Sequence, residues 1–283
     1  MKLVSVIVPC FNDGAYIEEA IDSVKAQTYK NIEVVICNDG STDKFTLEIL
    51  DKLKSRGFMV LDLQNKGPSV ARNEGIKVAN GDYILPLDSD DCIESTYVEK
   101  AVNLLESDEN IGAVYCHGEL FGAAKGKWEL PDYSIERMIV DNVVFVTALF
   151  RKSDWERAGG FCEHFKHGVE DYDFWLSILG LGKQIVQIPE ILFFYRIKET
   201  SRTTKFNGDL QKVIATYDLI YERHKDFYKE NMDLYCKSLR KALIERNAYA
   251  NQLENIVVIK KKLDRFPGIK RVIKKIYYKF FMR

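Results

Sequence analysis

Apolar positions along this chain switch repeatedly between two rhythms. Residues 3–9 form a short β-rich apolar run, and Ile17, Ala20, Ile21 and Val24 then fall at helical spacing within 15–27. The alternation continues with a strand over 32–37, a helix over 42–55 with Ser41 or Thr42 as its N-cap, and a strand over 58–63. A helix over 68–79 follows, stopped by Asn80-Gly81, and then a strand over 83–87. Repeated strand–helix units with short loops predict an α/β fold: a mainly parallel, Rossmann-like sheet with helices on both faces. In such sheets ligands bind outside the carboxyl ends of the strands.

The pattern then becomes less regular. The spacing predicts a helix over 94–105 and a strand over 111–117. A loop-like stretch follows over 118–141 with Trp128, Pro131 and Tyr133, then a strand over 143–150 and a short helix over 152–158. A helix over 170–179 opens on acidic residues, and two short strands, 184–188 and 191–196, flank Pro189. This half reads as a mixed-sheet addition able to form an acceptor site. From 209 to about 251 the periodicity is helical.

The strand ends carry the chemistry. Cys10-Phe11-Asn12-Asp13, Asn38-Asp39-Gly40-Ser41, Asn65-Lys66-Gly67 and Asp88-Ser89-Asp90-Asp91 should line one rim. Carboxylates closely spaced at a strand end aim at one small volume, and such a volume favours a hard divalent cation and, through it, phosphate oxygens. Residue type alone leaves other readings open. Asp39 suits an Asx-turn, Phe11 suits a core, and Asn12 or Asp13 suits the N-cap of the first helix. Arg72 suits a surface salt bridge, and Glu170, Asp171 and Asp173 suit the positive end of a helix dipole.

Taken in order, five segments resemble the family-2 inverting glycosyltransferases, which have the GT-A fold. They are Val4-Ser5-Val6-Ile7-Val8-Pro9-Cys10-Phe11-Asn12, Asn38-Asp39-Gly40-Ser41-Thr42-Asp43, Gly67-Pro68-Ser69-Val70-Ala71-Arg72-Asn73-Glu74-Gly75, Asp88-Ser89-Asp90-Asp91 and Glu170-Asp171-Tyr172-Asp173-Phe174-Trp175. Five ordered motifs are a stronger signal than any one of them. The resemblance covers about residues 3–202. It implies a GT-A domain over 1–207, with a nucleotide-binding half (1–92) and an acceptor-binding half (93–207), followed by a helical extension over 208–283.

The resemblance also implies roles. Asp39 would accept the imide N–H of uracil, and Phe11 would pack on its face with Pro9 and Asn12 nearby. Gly67 would let the backbone pass close to the nucleotide, and Arg72 would reach phosphate or base. Asp88 would meet ribose or metal-bound water beside Ser89, and Asp90 would ligate the Mn²⁺ or Mg²⁺ bridging the diphosphate. Asp171 would be the catalytic base, its pKa raised by partial burial among carboxylates, and Glu170 would orient the acceptor or the loop. Trp155 and Trp175 would be available to stack on sugar, although the helical spacing of Trp175 suits a core position better. One position departs from the pattern: where many members carry a His two residues after an Arg, this chain has Lys198 after Arg196. Protonated Lys cannot ligate a metal, so Lys198 is expected to pair with the pyrophosphate as a point charge.

The implied activity is transfer of a hexose or N-acetylhexosamine from a UDP-sugar to a hydroxyl of a glycan or lipid-linked saccharide, with a β-linkage as product. The rivals are a sugar nucleotidyltransferase and an inactive carbohydrate-binding scaffold. The former needs a glycine-rich basic loop that residues 9–16 lack. The latter is expected to lack the carboxylates at 88, 90 and 171.

Composition and charge refine the partners. At 283 residues and 46% hydrophobic content the chain can bury a large core. It has no apolar run near the roughly 20 residues needed to span a bilayer. The first residues run straight into a strand pattern, so no signal peptide is expected. The six cysteines form no Cys-x-x-Cys pair, which argues against a zinc ribbon and for buried, reduced thiols in the cytoplasm. The net charge of −1 conceals a split: residues 211–283 carry 18 Lys/Arg against 8 Asp/Glu. Within that tail Ile269, Val272, Ile273, Ile276, Tyr277 and Phe280 share one helical face opposite Lys270, Arg271, Lys274 and Lys275. This basic amphipathic helix over 260–283 suits either an anionic membrane surface, giving a peripheral location on the inner face of the cell membrane, or docking on protein. No nucleic-acid motif accompanies the charge, so nucleic acid is not an expected partner. Oligomerisation is left open.

Overall fold

The computed structural model describes the backbone of residues 1–165, 168–198 and 209–264, and the side chains among these as far as 252. Its strands are β1 (Val4–Cys10), β2 (Ile32–Asn38), β3 (Met59–Asp62), β4 (Tyr83–Pro86), β5 (Cys92–Ile93), β6 (Ile111–Gly122), β7 (Gly126–Lys127), β8 (Leu149–Arg151) and β9 (Gln184–Ile197). Its helices are α1 (Ile17–Lys25), α2 (Lys44–Ser55), α3 (Pro68–Val78), α4 (Tyr97–Ser107), α5 (Ile135–Met138), α6 (Lys152–Ala158), α7 (Glu170–Gly180), α8 (Leu210–Arg223), α9 (Lys225–Glu230) and α10 (Met232–Asp264).

The strands form one mixed sheet in the order β3-β2-β1-β4-β8-β6-β9-β5, with β7 paired to β6. The first four strands in that order are parallel, as the βα repeats predict. β8 then runs antiparallel to both β4 and β6 and joins the two halves of the sheet. Val4, Val6, Ile7, Val8, Ile36, Ile84 and Leu85 are fully buried, as strands covered on both faces require. Gly75 lets α3 approach the sheet closely, because a Cβ there would stand 2.6 Å from Cys37 Sγ and 2.7 Å from Ile7 Cγ2. The chain divides into two compact units, Met1–Asn231 and Met232–Arg283. The described part of the second is the single helix α10.

The structure corrects several local expectations. α2 is capped by Asp43, whose Oδ2 accepts from Thr46 N at 2.8 Å and Thr46 Oγ1 at 2.7 Å, and not by Ser41 or Thr42. The apolar run 143–150 is buried except for half-buried Val146, yet only its end pairs as β8. Its carbonyls serve side chains instead: Tyr97 Oη donates to Thr147 O and Trp175 Nε1 to Val144 O. Hydrophobicity thus marked burial there, while side-chain donors replaced the ladder. Pro189 does not split β9. The register passes from Cys116↔Ile188 to His117↔Ile191, so Pro189 and Glu190 are accommodated as an irregularity within one strand. α4 begins at Tyr97, after Glu94 has folded back to accept Thr96 N and Oγ1. Of the six cysteines Cys10, Cys37, Cys116 and Cys162 are buried, Cys92 is half-buried and Cys236 is exposed. The amphipathic stretch 269–280 lies outside the described residues, and no helix among the described residues is long and apolar enough to cross a membrane.

Candidate active site at the carboxyl ends of the strands

The loops after β1, β2 and β3 are tied together by side chains that accept backbone amides. Asn12 Oδ1 accepts from Thr42 N and Asp43 N at 2.8 and 2.9 Å, and Asn12 N donates to Ser41 Oγ at 3.0 Å. Asn12 holds φ 58°, a left-handed geometry that Asn tolerates. Asn12 is therefore a clamp between loops. No side chain caps α1. Asp39 is buried and accepts from Lys66 N at 3.0 Å and Gly67 N at 2.9 Å. Each carboxylate oxygen keeps a second lone pair, so this anchoring leaves acceptor capacity for a ligand N–H. Asn38 also braces this loop, its Oδ1 accepting from Ser41 N three residues on at 2.9 Å. Gly67, at φ 97° with nothing within 4 Å of a Cβ position, supplies a turn that L residues rarely adopt. Phe11 is 44% exposed on this rim and is no core residue. Pro9 is buried within β1, paired in register with Cys37.

Beneath the rim lies Arg72, where the sequence pointed to a ligand contact or a surface salt bridge. Its side chain is 1% exposed. Nη2 donates to Asp88 Oδ1 at 2.7 Å and Nη1 to Glu170 Oε1 at 2.8 Å, and the guanidinium lies 5.8 Å from the Phe161 ring centre. Burial opposes its charge, but the two carboxylates more than offset that and hold its pKa above the ordinary value. Arg72 thus joins the end of β4 to the start of α7, and Glu170, itself buried, faces this floor. Ser89 is buried and its Oγ donates to Asp13 Oδ2 at 3.2 Å.

Asp90 and Asp13 converge on one cation. Lys198 Nζ lies 2.6 Å from Asp13 Oδ1 and 2.7 Å from Asp90 Oδ2, 5.0 Å from the Tyr16 ring centre. Burial alone would lower the Lys198 pKa, but hydrogen bonds to Asp13 and Asp90 raise it, so the ammonium stays charged. Asp91 is buried and accepts Arg196 N at 2.8 Å. Burial, with the Asp90 and Asp88 charges, pushes its carboxyl well above the usual range. Arg196 Nε donates to Asp90 O at 2.7 Å, and its guanidinium stacks over Phe121 and Tyr16 at 4.1 and 4.7 Å. Motif reading left Arg196 without a role and offered Asp13 only as a rim residue or an N-cap. Their signal was position, one in the last strand and one just past the first.

α7 opens on Val169 at φ 61°, a costly conformation for a β-branched residue and one that accumulates at functional sites. Asp171 is half-buried on the first turn, its Oδ1 accepting from Tyr172 N at 2.8 Å. Asp173 points inward, bonded by Arg223 Nε at 2.7 Å with His224 Nε2 at 2.8 Å. Trp175 is fully buried, and Trp155 is buried with Nε1 donating to Asn73 Oδ1 at 3.3 Å, so both build the core and neither offers a face to sugar.

The residues at the rim fit a hard divalent ion in part. Among the described residues no three His, Cys, Asp or Glu side chains converge as a ready metal cage. The oxygens of Asp13 and Asp90 do converge, as the ammonium between them demonstrates. An ion there would draw its remaining ligands from phosphate and water, as Mg²⁺ and Mn²⁺ commonly do. A cavity of about 480 Å³ lies at the other ends of the strands, lined by Lys2, Asn80, Asp82, Glu106 and Arg151 among others. Its cations are already paired, Lys2 with Asp82 and Lys152 with Ala79 O.

The sheet order and this rim define a GT-A glycosyltransferase fold, and the chain belongs to glycosyl transferase family 2, whose profile matches residues 5–156. It is 30% identical over 274 residues to a chondroitin synthase of Pasteurella multocida (strain Pm70), covering 92% of this chain and 28% of the synthase. The chain thus spans little more than a quarter of that relative's length. In fold it is similar to S. aureus TarS 1-349 in complex with UDP-GlcNAc, with a TM-score of 0.60 and 23% identity over 71% of this chain and 60% of TarS 1-349. It is also similar to the mannosyltransferase PcManGT from Pyrobaculum calidifontis in complex with GDP-Man and Mn²⁺, with a TM-score of 0.58 and 19% identity over 86% of this chain and 75% of that one.

Proposed function

We propose that this chain is an inverting glycosyltransferase that moves a hexose or N-acetylhexosamine from a UDP-sugar to a hydroxyl of a glycan or lipid-linked saccharide, forming a β-linkage. The observation that carries the reading is the Arg72 bridge, which holds Asp88 of the nucleotide side and Glu170 of the acceptor side 2.7 and 2.8 Å from one guanidinium. It brings the start of α7, and with it Asp171, to the strand ends where a donor would lie.

In this reading Phe11 packs on the base and Asp39 accepts its N–H with the lone pairs left by the Lys66 and Gly67 amides. Asp88, 35% exposed at its side chain, faces the ribose. Asp171 takes the proton from the acceptor hydroxyl as that oxygen attacks the anomeric carbon from the face opposite the nucleotide, which inverts the centre. Arg72 and Glu170 position these groups from below without meeting the substrate. Mn²⁺ or Mg²⁺ at Asp90 would supply charge neutralisation for the departing diphosphate.

We assign this function to residues 1–207 and a supporting role to 208–283, with 260–283 resting on an anionic membrane surface at the inner face of the cell membrane. Deleting 260–283 should reduce sedimentation with anionic vesicles, and equal binding by the truncated chain would assign the tail to a protein partner. The test of the chemistry is Asp171→Asn. Transfer should fall about 10³-fold, within the range of a lost general base, while calorimetry shows unchanged UDP affinity. Undiminished turnover would remove Asp171 from the mechanism. Pyrophosphate in place of UDP as the released product would favour the nucleotidyltransferase rival.

A further inference from the structure

Lys198 occupies a point that two carboxylates and an aromatic face all address. Its ammonium lies 2.6 Å from Asp13, 2.7 Å from Asp90 and 5.0 Å from the Tyr16 ring centre, with 27% of the side chain exposed. A protonated amine has three donors and no lone pair. It can neutralise these carboxylates but cannot share them with a metal as a fellow ligand. Two cations within a few ångströms repel strongly wherever solvent is partly excluded.

We propose that Lys198 is a tethered, exchangeable occupant of the cation position, so that a divalent ion binds by displacing its ammonium from Asp13 and Asp90, and that Asp13 is a ligand to that ion alongside Asp90. The inference rests on the reading of this rim as a nucleotide-sugar site. Partial exposure is what permits the exchange: Lys198 can swing outward into water, whereas Arg72 under the same loop is sealed at 1% exposure by two hydrogen-bonded carboxylates. Once displaced, the ammonium is free to meet the diphosphate that arrives with the ion. The nucleotide-free protein therefore binds divalent ions weakly and carries its own counter-charge, and the donor brings the oxygens that complete the metal's shell. A metal-competent state populated about one part in ten weakens apparent affinity about tenfold.

The test measures Mn²⁺ binding to the full chain without nucleotide, from the electron paramagnetic resonance signal of free Mn²⁺. Lys198→Met should bind Mn²⁺ about tenfold more tightly than the wild type. Adding Asp13→Asn to that variant should return the affinity to the wild-type level or below. Lys198→Gln, which keeps a polar end, should behave like Lys198→Met, and both should show a larger Mn²⁺-induced rise in melting temperature than the wild type. Equal or weaker Mn²⁺ binding by both Lys198 variants, or tightening that ignores Asp13, would overturn the proposal. A failure to release UDP from any sugar would strike the transferase reading and leave this exchange standing.

Discussion

The floor and the rim of the site each place a basic side chain against the Asp88–Asp91 loop, and they do so in opposite ways. In the floor Arg72 is 1% exposed and gives separate nitrogens to Asp88 and Glu170. At the rim Lys198 is 27% exposed and offers one ammonium to Asp13 and Asp90. A planar guanidinium with fixed donors makes a rigid joint between two elements, whereas an ammonium on a flexible stem makes a contact that can open. The same acidic loop is thus braced on its inner side and adjustable on its outer side. That division suits a site that must hold its geometry while a diphosphate and its counter-ion come and go.

The largest effect should come from breaking the floor. Arg72→Met leaves Asp88 and Glu170 without their shared cation, and urea denaturation should register a loss of about 3–5 kcal/mol. At the rim Lys198→Met should cost less than about 1 kcal/mol by the same method. Equal losses would erase the distinction between brace and exchangeable contact.

Asp173 extends the floor towards α8. Burial alone would push its carboxyl up, but hydrogen bonds from His224 and Arg223 hold it below the ordinary value. A depressed folded pKa contributes stability that is fully present above the unfolded value of about 3.9 and is lost as pH falls through the folded one. Asp173→Asn should therefore cost about 2 kcal/mol at neutral pH, with the gap to the wild type closing as pH drops below about 4. A gap independent of pH would assign the loss to packing. The smallest effect is expected at the outermost rim. Phe11→Ala should weaken UDP binding by about three- to tenfold, the worth of one aromatic contact, and leave the denaturation midpoint unchanged.

The parallel half of the sheet was legible because each strand there is a continuous buried run closed by turn residues, and the strand-end rule then located the rim. β8 was not legible, since residues 143–148 are as apolar as a strand but give the Thr147 and Val144 carbonyls to Tyr97 and Trp175. The gathering of the candidate residues at one rim was legible, and their contacts were less so. Arg72 looked like a ligand group because its sequence neighbours do not reveal that Glu170, nearly a hundred positions away, would close over it. The Asp13–Lys198 pair joins residues 185 positions apart. Neither residue stands in a motif with the other, so only the fold brings them together.

The measurement that bears most directly on the central claim is nucleotide release from a panel of sugar donors, with Mn²⁺ present and no acceptor added. Slow hydrolysis by the wild-type chain should free UDP from at least one UDP-hexose or UDP-N-acetylhexosamine, and Asp171→Asn should free it at least about 10²-fold more slowly. No UDP from any donor together with no measurable UDP binding, or pyrophosphate as the product, would contradict the account.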